Sequence, residues 1–272
     1  MVQILTASEA KKSILRNTFV IDSTEELESK NGLSRVCAET IICPIDVPSH
    51  TNSAMDGYAI NVDNARKRQT SASLWNRAPE KIKIIGKATA GHPYYGDFNQ
   101  DAAIQIMTGA IVPAGYDTVV INEDVTVSNG NLNIKEFPKK GGNIREAGED
   151  LRKGEVCISK HKILTAADLG LLASVGISKI SVFRKPKVAI FSTGDEIKNP
   201  NESLSVGQIY DSNRFSLAGM LQKIGMDIID LGIIPDNPIM LKKIIENASS
   251  YSDALITTGG VSVGERDYMK TV

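Results

Sequence analysis

The sequence lacks a basic excess. Its 272 residues carry 31 Lys and Arg against 32 Asp and Glu, a formal charge of -1 at pH 7. A protein that tracks a nucleic-acid backbone shows a positive surplus, so no nucleic-acid partner is expected. Aromatics are scarce at 5%, with the single Trp75, which leaves little for base-stacking or carbohydrate platforms. Cysteine is limited to Cys37, Cys43 and Cys157, odd in number and without a C-x-x-C pair. These three read as small buried hydrophobes in a reduced, cytoplasmic protein. His50, His92 and His161 lie far apart in sequence, against a His-rich zinc site. No stretch is long and apolar enough to span a bilayer, so no membrane partner is expected. The longest uncharged stretch, Ala102–Tyr116, contains Gly109, Pro113 and Gly115 and reads as turns. The opening MVQILTASEAKK has no basic region before a long apolar one, so no signal peptide is visible. What is present is 42% hydrophobic and 23% charged residues, enough for a core without disulfides. The length suggests about two domains.

Three textures follow one another. Up to about Val47, Thr6 and Glu9 form a capping box ahead of Ala10, Ile14 and Leu15 at helical spacing. From Pro48 to about Pro138 short β-like runs alternate with Gly, Pro and Asn. Examples are KIKIIG from Lys81 to Gly86, TVVI from Thr118 to Ile121, and the segment after the Asn129-Gly130 turn. Asn143–Asp150 then leads into a helix with Thr165 as N-cap, Asp168 at its third position and Gly176 as its stop. If that helix packs on the first region, the β segment is an insertion in a discontinuous domain. From Pro186 strands and helices alternate. Lys187–Ser192, Asp227–Ile234 and Ala254–Thr258 read as strands, with a helix over Ser212–Lys223 and another marked by Leu241, Ile244, Ile245 and Ala248. Such alternation predicts a parallel sheet with right-handed crossovers.

Ligands of open parallel sheets gather beyond the carboxyl ends of the strands. Glu196, Asp236 and Asp267 fall there, one after each strand. Carboxylates converging from separate loops repel each other unless a cation joins them, and Mg²⁺ suits oxygen donors beside substrate phosphates. Taken singly, Asp236 reads first as a helix cap and Glu196 as a solvated side chain. Gly259–Gly264 lets backbone approach a ligand at a helix start. It is no Walker A loop, and G-x-G-x-x-G is missing. Gly260, Ser262 and Gly264 also fit the G-x-S-x-G nucleophile elbow. That hydrolase needs a later His, and every His here precedes Ser262.

Seven segments stand in a telling order: NSAMDGYA, IMTGAIVPAGYDTVV, NIREAGEDLRKGE, LGLLASVG, FSTGDEI, GQIYDSN and TTGGVSVGERDY. Together they resemble MoeA-type molybdopterin molybdotransferases over essentially the whole chain. The resemblance implies an α/β and β multidomain protein: a discontinuous linker domain (1–47 and 139–180), an inserted β-rich lid (48–138) and a partial parallel-sheet α/β molybdopterin-binding domain (181–272). It implies a cytoplasmic enzyme that completes the molybdenum cofactor. Adenylylated molybdopterin and molybdate are its substrates, Mg²⁺ assists hydrolysis of the adenylate, and AMP leaves. An elongated homodimer is implied, with the α/β domain of one subunit facing the lid of the other, and molybdopterin adenylyltransferase as upstream partner.

By the same resemblance, Asp56 and Thr108 line the cleft from the lid, Asp150 from the linker, and Glu196, Asp236 and Asp267 from the α/β side. Ser192, Thr193, Gly194, Gly259, Gly260, Ser262 and Gly264 hold the cofactor precursor, while Lys270 is the nearest cation for molybdate. Two departures stand out. Gln105 occupies a position that is usually basic, and the chain stops at Val272, short of the rest of the α/β domain and a C-terminal β-barrel. That ending predicts an exposed sheet edge. It also leaves a catalytically incomplete molybdopterin-binding or dimerisation module as the alternative function.

Overall fold

A computed structural model describes residues 5–74 and 81–259. They form two compact units. One takes Met1–Glu39, Lys160–Leu169 and Ser178–Val272, the other Thr40–Ser159 and Gly170–Ile177.

The second unit is built on a six-stranded mixed sheet of β1 (Gly57–Ile60), β2 (Ile82–Ala88), β3 (Ala102–Ile106), β4 (Thr118–Ile121), β5 (Val125–Ser128) and β6 (Asn131–Ile134). The strand order is β4-β1-β3-β2-β6-β5, with only β2 and β3 parallel. Both faces are covered. Tyr58, Ile60, Ala103, Val120 and Leu132 pack on one, and Ala59, Ile104, Ile106 and Val119 on the other. This double burial explains why the inner strands β1 and β3 are buried almost throughout, without polar alternation. It also corrects the reading of Ala102–Tyr116 as turns throughout, since Ala102–Ile106 is an inner strand and the turns begin only after it. A helix over Val62–Leu74 was likewise missed in a segment that otherwise reads as β. Its start is fixed by Asn61, whose Oδ1 accepts the Asn64 N–H at 3.2 Å, and by Asp117, which accepts the Val62 N–H at 3.0 Å. At the β5–β6 hairpin, Asn129 and Gly130 both take positive φ (50° and 72°), as the Asn-Gly signal requires.

The first unit opens with the expected helix, Ala7–Asn17, whose capping box of Thr6 and Glu9 is complete. The strand Thr24–Glu28 pairs antiparallel with Lys179–Phe183. Thr165 and Asp168 form the start of the helix Ala166–Ser174. Thr165 donates its N–H and hydroxyl to Asp168 Oδ2 at 2.9 and 2.8 Å, and Lys162 donates to Oδ1 at 2.6 Å.

The part that positions a site is the α/β layer: β7 (Lys187–Thr193), α1 (Asn213–Lys223), β8 (Asp227–Ile234), α2 (Pro238–Ser249) and β9 (Ala254–Thr258). The three strands are parallel in the order β8-β7-β9. Helix α1 covers one face, setting Leu217 and Leu221 against Val188 and Ile190. Helix α2 covers the other, setting Leu241 and Ile244 against Phe191 and Ile234. Truncating a wholly buried side chain such as Leu241 to Ala costs about 2–5 kcal/mol. The central strand, covered on both faces, is the continuous apolar run read from KVAIFS.

At the opposite end from the strand termini, Arg184 grips Asp253 in a fork of 2.6 and 2.7 Å, and the Lys187 N–H adds a third bond at 2.8 Å. The guanidinium first, and then that amide, pull the Asp253 carboxyl from 3.8 to about 2. Because the pKa is depressed on folding, the stabilisation is whole above about pH 4 and is lost as pH falls towards 2. The urea midpoint of the native chain is therefore expected to drop more steeply over that window than that of Asp253→Asn. Parallel curves for the two proteins would remove Asp253 as a source of acid sensitivity.

Candidate functional site

The carboxyl ends of β7, β8 and β9 open into a cavity of about 250 Å³. The strands deliver Thr193, Gly194 and Glu196 from β7, Asp236 from β8, and Thr258 with Gly259 from β9. Of the residues named from sequence, the structure thus brings Thr193, Gly194, Glu196, Asp236 and Gly259 into one place. Ser192 sits just beneath, fully buried, its hydroxyl 2.7 Å from the Thr258 hydroxyl. Gly260, Ser262, Gly264, Asp267 and Lys270 lie outside the described residues, and so does the nucleophile-elbow reading that rests on Ser262.

Local chemistry assigns a task to each acid. Asp236 is no helix cap: Asn237 caps α2, its side chain accepting the N–H groups of Ile239 and Met240 at 3.0 and 3.1 Å. Asp236 Oδ1 instead accepts the Thr193 hydroxyl across the strand ends. The Glu196 carboxylate folds back over Gly194, where a Cβ would fall 2.7 Å from Oε2. Gly259 has φ +100°, and a Cβ there would meet the Thr193 carbonyl oxygen at 2.5 Å, so glycine is required for β9 to end this close to β7.

A third acid, Asp211, was not singled out from sequence. It is 4% exposed, and its carboxylate accepts the Arg214 N–H at 3.1 Å and Nε at 2.7 Å. Burial pushes this carboxyl up, but bonds from the Arg214 guanidinium and the Ser192 hydroxyl outweigh it, leaving the pKa below the ordinary value. Asp211 is thereby neutralised in place. Glu196 and Asp236 are the other two acids of the cavity, and among the described residues no Lys or Arg lines it. The first turn of α1 also reaches the cavity through Ser212 and Asn213, and the Ser212 side chain makes no cap. Tyr210, Asp211, Ser212 and Asn213 belong to GQIYDSN, so that motif was the signal that could have named them.

The donor set is suited to a hard divalent cation. Two carboxylates in a polar cavity match Mg²⁺, which is bound by one or two carboxylates plus phosphates and keeps several waters. Among the described residues no three His, Cys, Asp or Glu side chains converge, and Asp267, the third acid expected, is not one of them.

In the other unit Asp56 and Thr108 are brought together. Thr108 donates both its N–H and its hydroxyl to Asp56 Oδ1 at 2.7 Å. Those two bonds, the amide first, hold the Asp56 carboxyl below its usual range. Asp150 is exposed and pairs with Arg145 Nη2 at 2.7 Å, while Arg145 Nε binds Glu149 at 2.6 Å. The short pairing of Ile144–Arg145 with Asn52–Ser53 sets Arg145 opposite Asn52, in the segment that carries Asp56.

Comparison with known proteins gives a consistent result. Residues 5–176 match the MoeA N-terminal region (domain I and II), and residues 189–272 a probable molybdopterin binding domain. The molybdopterin molybdenumtransferase of Haemophilus influenzae is 40% identical over 270 residues, covering 99% of this chain and 64% of that protein. Gephyrin of Dictyostelium discoideum is 34% identical, covering 96% of this chain and 39% of its own. Among solved structures, the molybdopterin biosynthesis moeA protein of Pyrococcus horikoshii OT3 has a TM-score of 0.84 at 30% identity, over 94% of this chain and 67% of that one. The chain spans less than two thirds of the Haemophilus relative.

Proposed function

The chain belongs to the MoeA family, and on that premise we propose that it serves molybdenum cofactor biosynthesis as a molybdopterin molybdotransferase. In this reading it accepts adenylylated molybdopterin, cleaves the adenylate with the help of Mg²⁺, releases AMP and transfers molybdate to the dithiolene. The observation that carries the reading is that Glu196 and Asp236 line one cavity in which, among the described residues, no Lys or Arg takes part. A pyrophosphate linkage enters such a cavity only with a cation between it and the carboxylates.

Glu196 and Asp236 would hold the magnesium ion, with Thr193 orienting Asp236 through its hydroxyl. When bound, the ion supplies charge screening and polarisation of the phosphoanhydride. Ser212 and Asn213, at the start of α1, line the same space, and a helix N-terminus favours phosphate oxygens. Gly259 leaves room for backbone to approach the ligand. Within the β-rich unit, Asp56, whose carboxyl Thr108 holds below its usual range, is the candidate acid. A cytoplasmic homodimer, the division into 1–47, 48–138, 139–180 and 181–272, and supply of substrate by molybdopterin adenylyltransferase belong to the same proposal.

The test is direct. Incubation of the chain with adenylylated molybdopterin, molybdate and Mg²⁺ is expected to release AMP, and chelation of the metal to stop it. Retained binding of adenylylated molybdopterin with no AMP released would instead support a binding or dimerisation module.

A further inference from the structure

We propose that Arg214 is a positioning residue of the cavity, a clasp that holds the segment Ile197–Asn213 in place against the parallel sheet. The inference rests on the reading of this cavity as the site of a magnesium-bound adenylate. Half of the residues lining the cavity come from this segment, Ile197 and Ile209 to Asn213. Yet the segment is an excursion from the layer. It leaves after Glu196, runs through an exposed loop in which Val206 is fully solvated, and returns at Ile209.

Its own ladder is slight. Ile197–Lys198 pairs in parallel with Ile209–Tyr210, with the Ile209 N–H on the Glu196 carbonyl and the Asp211 N–H on the Lys198 carbonyl, both at 2.9 Å. Two-residue strands of this kind fix little by themselves. The tie to the sheet is made by side chains. Arg214 is 5% exposed and spends its whole fork on three acceptors. Nε takes Asp211 at the end of the excursion, Nη2 takes Asn199 near its start at 3.0 Å, and Nη1 takes the Asp230 carboxylate on β8.

One planar cation thus joins both ends of the excursion to an outer strand. A lysine reaches one or two of these acceptors but cannot reproduce the fork. Without the cation the buried Asp211 loses its counter-charge, which is costly, and the wall is free to move away from the strand ends.

Arg214 touches no substrate in this account. Its removal should weaken recognition by the wall and leave the metal carboxylates on β7 and β8 able to work. We therefore expect Arg214→Met to raise KM for adenylylated molybdopterin about 10-fold or more, with Mg²⁺ half-saturation changed less than about threefold. Arg214→Lys, which keeps a charge beside Asp211, should recover a large part of that loss. Amide hydrogen exchange over Ile197–Asn213 should quicken about 10-fold or more in Arg214→Met while β7 and β8 keep their protection.

A folded Arg214→Met protein with native KM and native exchange in the segment overturns the clasp. So does a parallel rise in KM and Mg²⁺ half-saturation with exchange quickened throughout the unit, which would mark general destabilisation. If the native chain releases no AMP, it is the functional reading that fails. The exchange comparison then decides the clasp by itself, since it requires no ligand.

Discussion

Asp236→Asn is expected to lower Mg²⁺-dependent AMP release by about 100-fold or more at a fixed, moderate Mg²⁺ concentration. The substitution is nearly isosteric, and the amide oxygen still accepts the Thr193 hydroxyl that holds the native carboxylate. The fold at the strand ends therefore has no reason to change. What is lost is the negative charge of one of the two cavity acids proposed to hold the ion. A cation shared between two carboxylates binds far less well to one, so part of the activity should return as Mg²⁺ is raised. Thr193→Val removes only the orienting hydroxyl and should have the smaller effect. Activity of Asp236→Asn within about twofold of native at limiting Mg²⁺ would take Asp236 out of the metal site.

Glu196 and Asp236 were legible in the sequence because position in a parallel sheet depends on topology, and topology on apolar runs. Lys187–Thr193, Asp227–Ile234 and Ala254–Thr258 are read directly, and the residue just past each run must lie on one edge. Asp211 and Arg214 were not legible for the opposite reason. An acid three residues before an arginine at a helix start looks like an ordinary solvated pair, and only the structure shows both buried. The helix Val62–Leu74 escaped because, among its residues whose burial is described, Val62 and Ala65 alone are buried, too few to show a period. Ala102–Ile106 escaped because a short strand made of Ala, Ile and Gln was read together with the turn residues Gly109, Pro113 and Gly115 that come after it. In the β-rich segment, then, sidedness was hidden by burial on both faces, whereas in the α/β layer the same burial marked the central strand.

Gly57→Ala is expected to destabilise the six-stranded unit by about 3 kcal/mol or more. Gly57 lies in β1, paired with Ile121 of β4, and a Cβ there would stand 1.9 Å from the Val120 carbonyl oxygen. That neighbour is backbone in the ladder between β1 and the end strand β4, so no rotamer change relieves the contact. One strand must move, and with it either the Tyr58 and Ile60 face or the Ala59 face loses packing. The displaced residue is also next to Asp56, so the pair of bonds from Thr108 moves with it. Urea denaturation should show a markedly lower midpoint for this unit. Gly170→Ala serves as control: that glycine is within the helix Ala166–Ser174, a Cβ would meet nothing within 4 Å, and the change should be neutral or mildly stabilising. A loss below about 1 kcal/mol in Gly57→Ala would mean that the ladder yields where close packing says it cannot. The glycine of NSAMDGYA would then have to be explained by the site beside it rather than by the sheet.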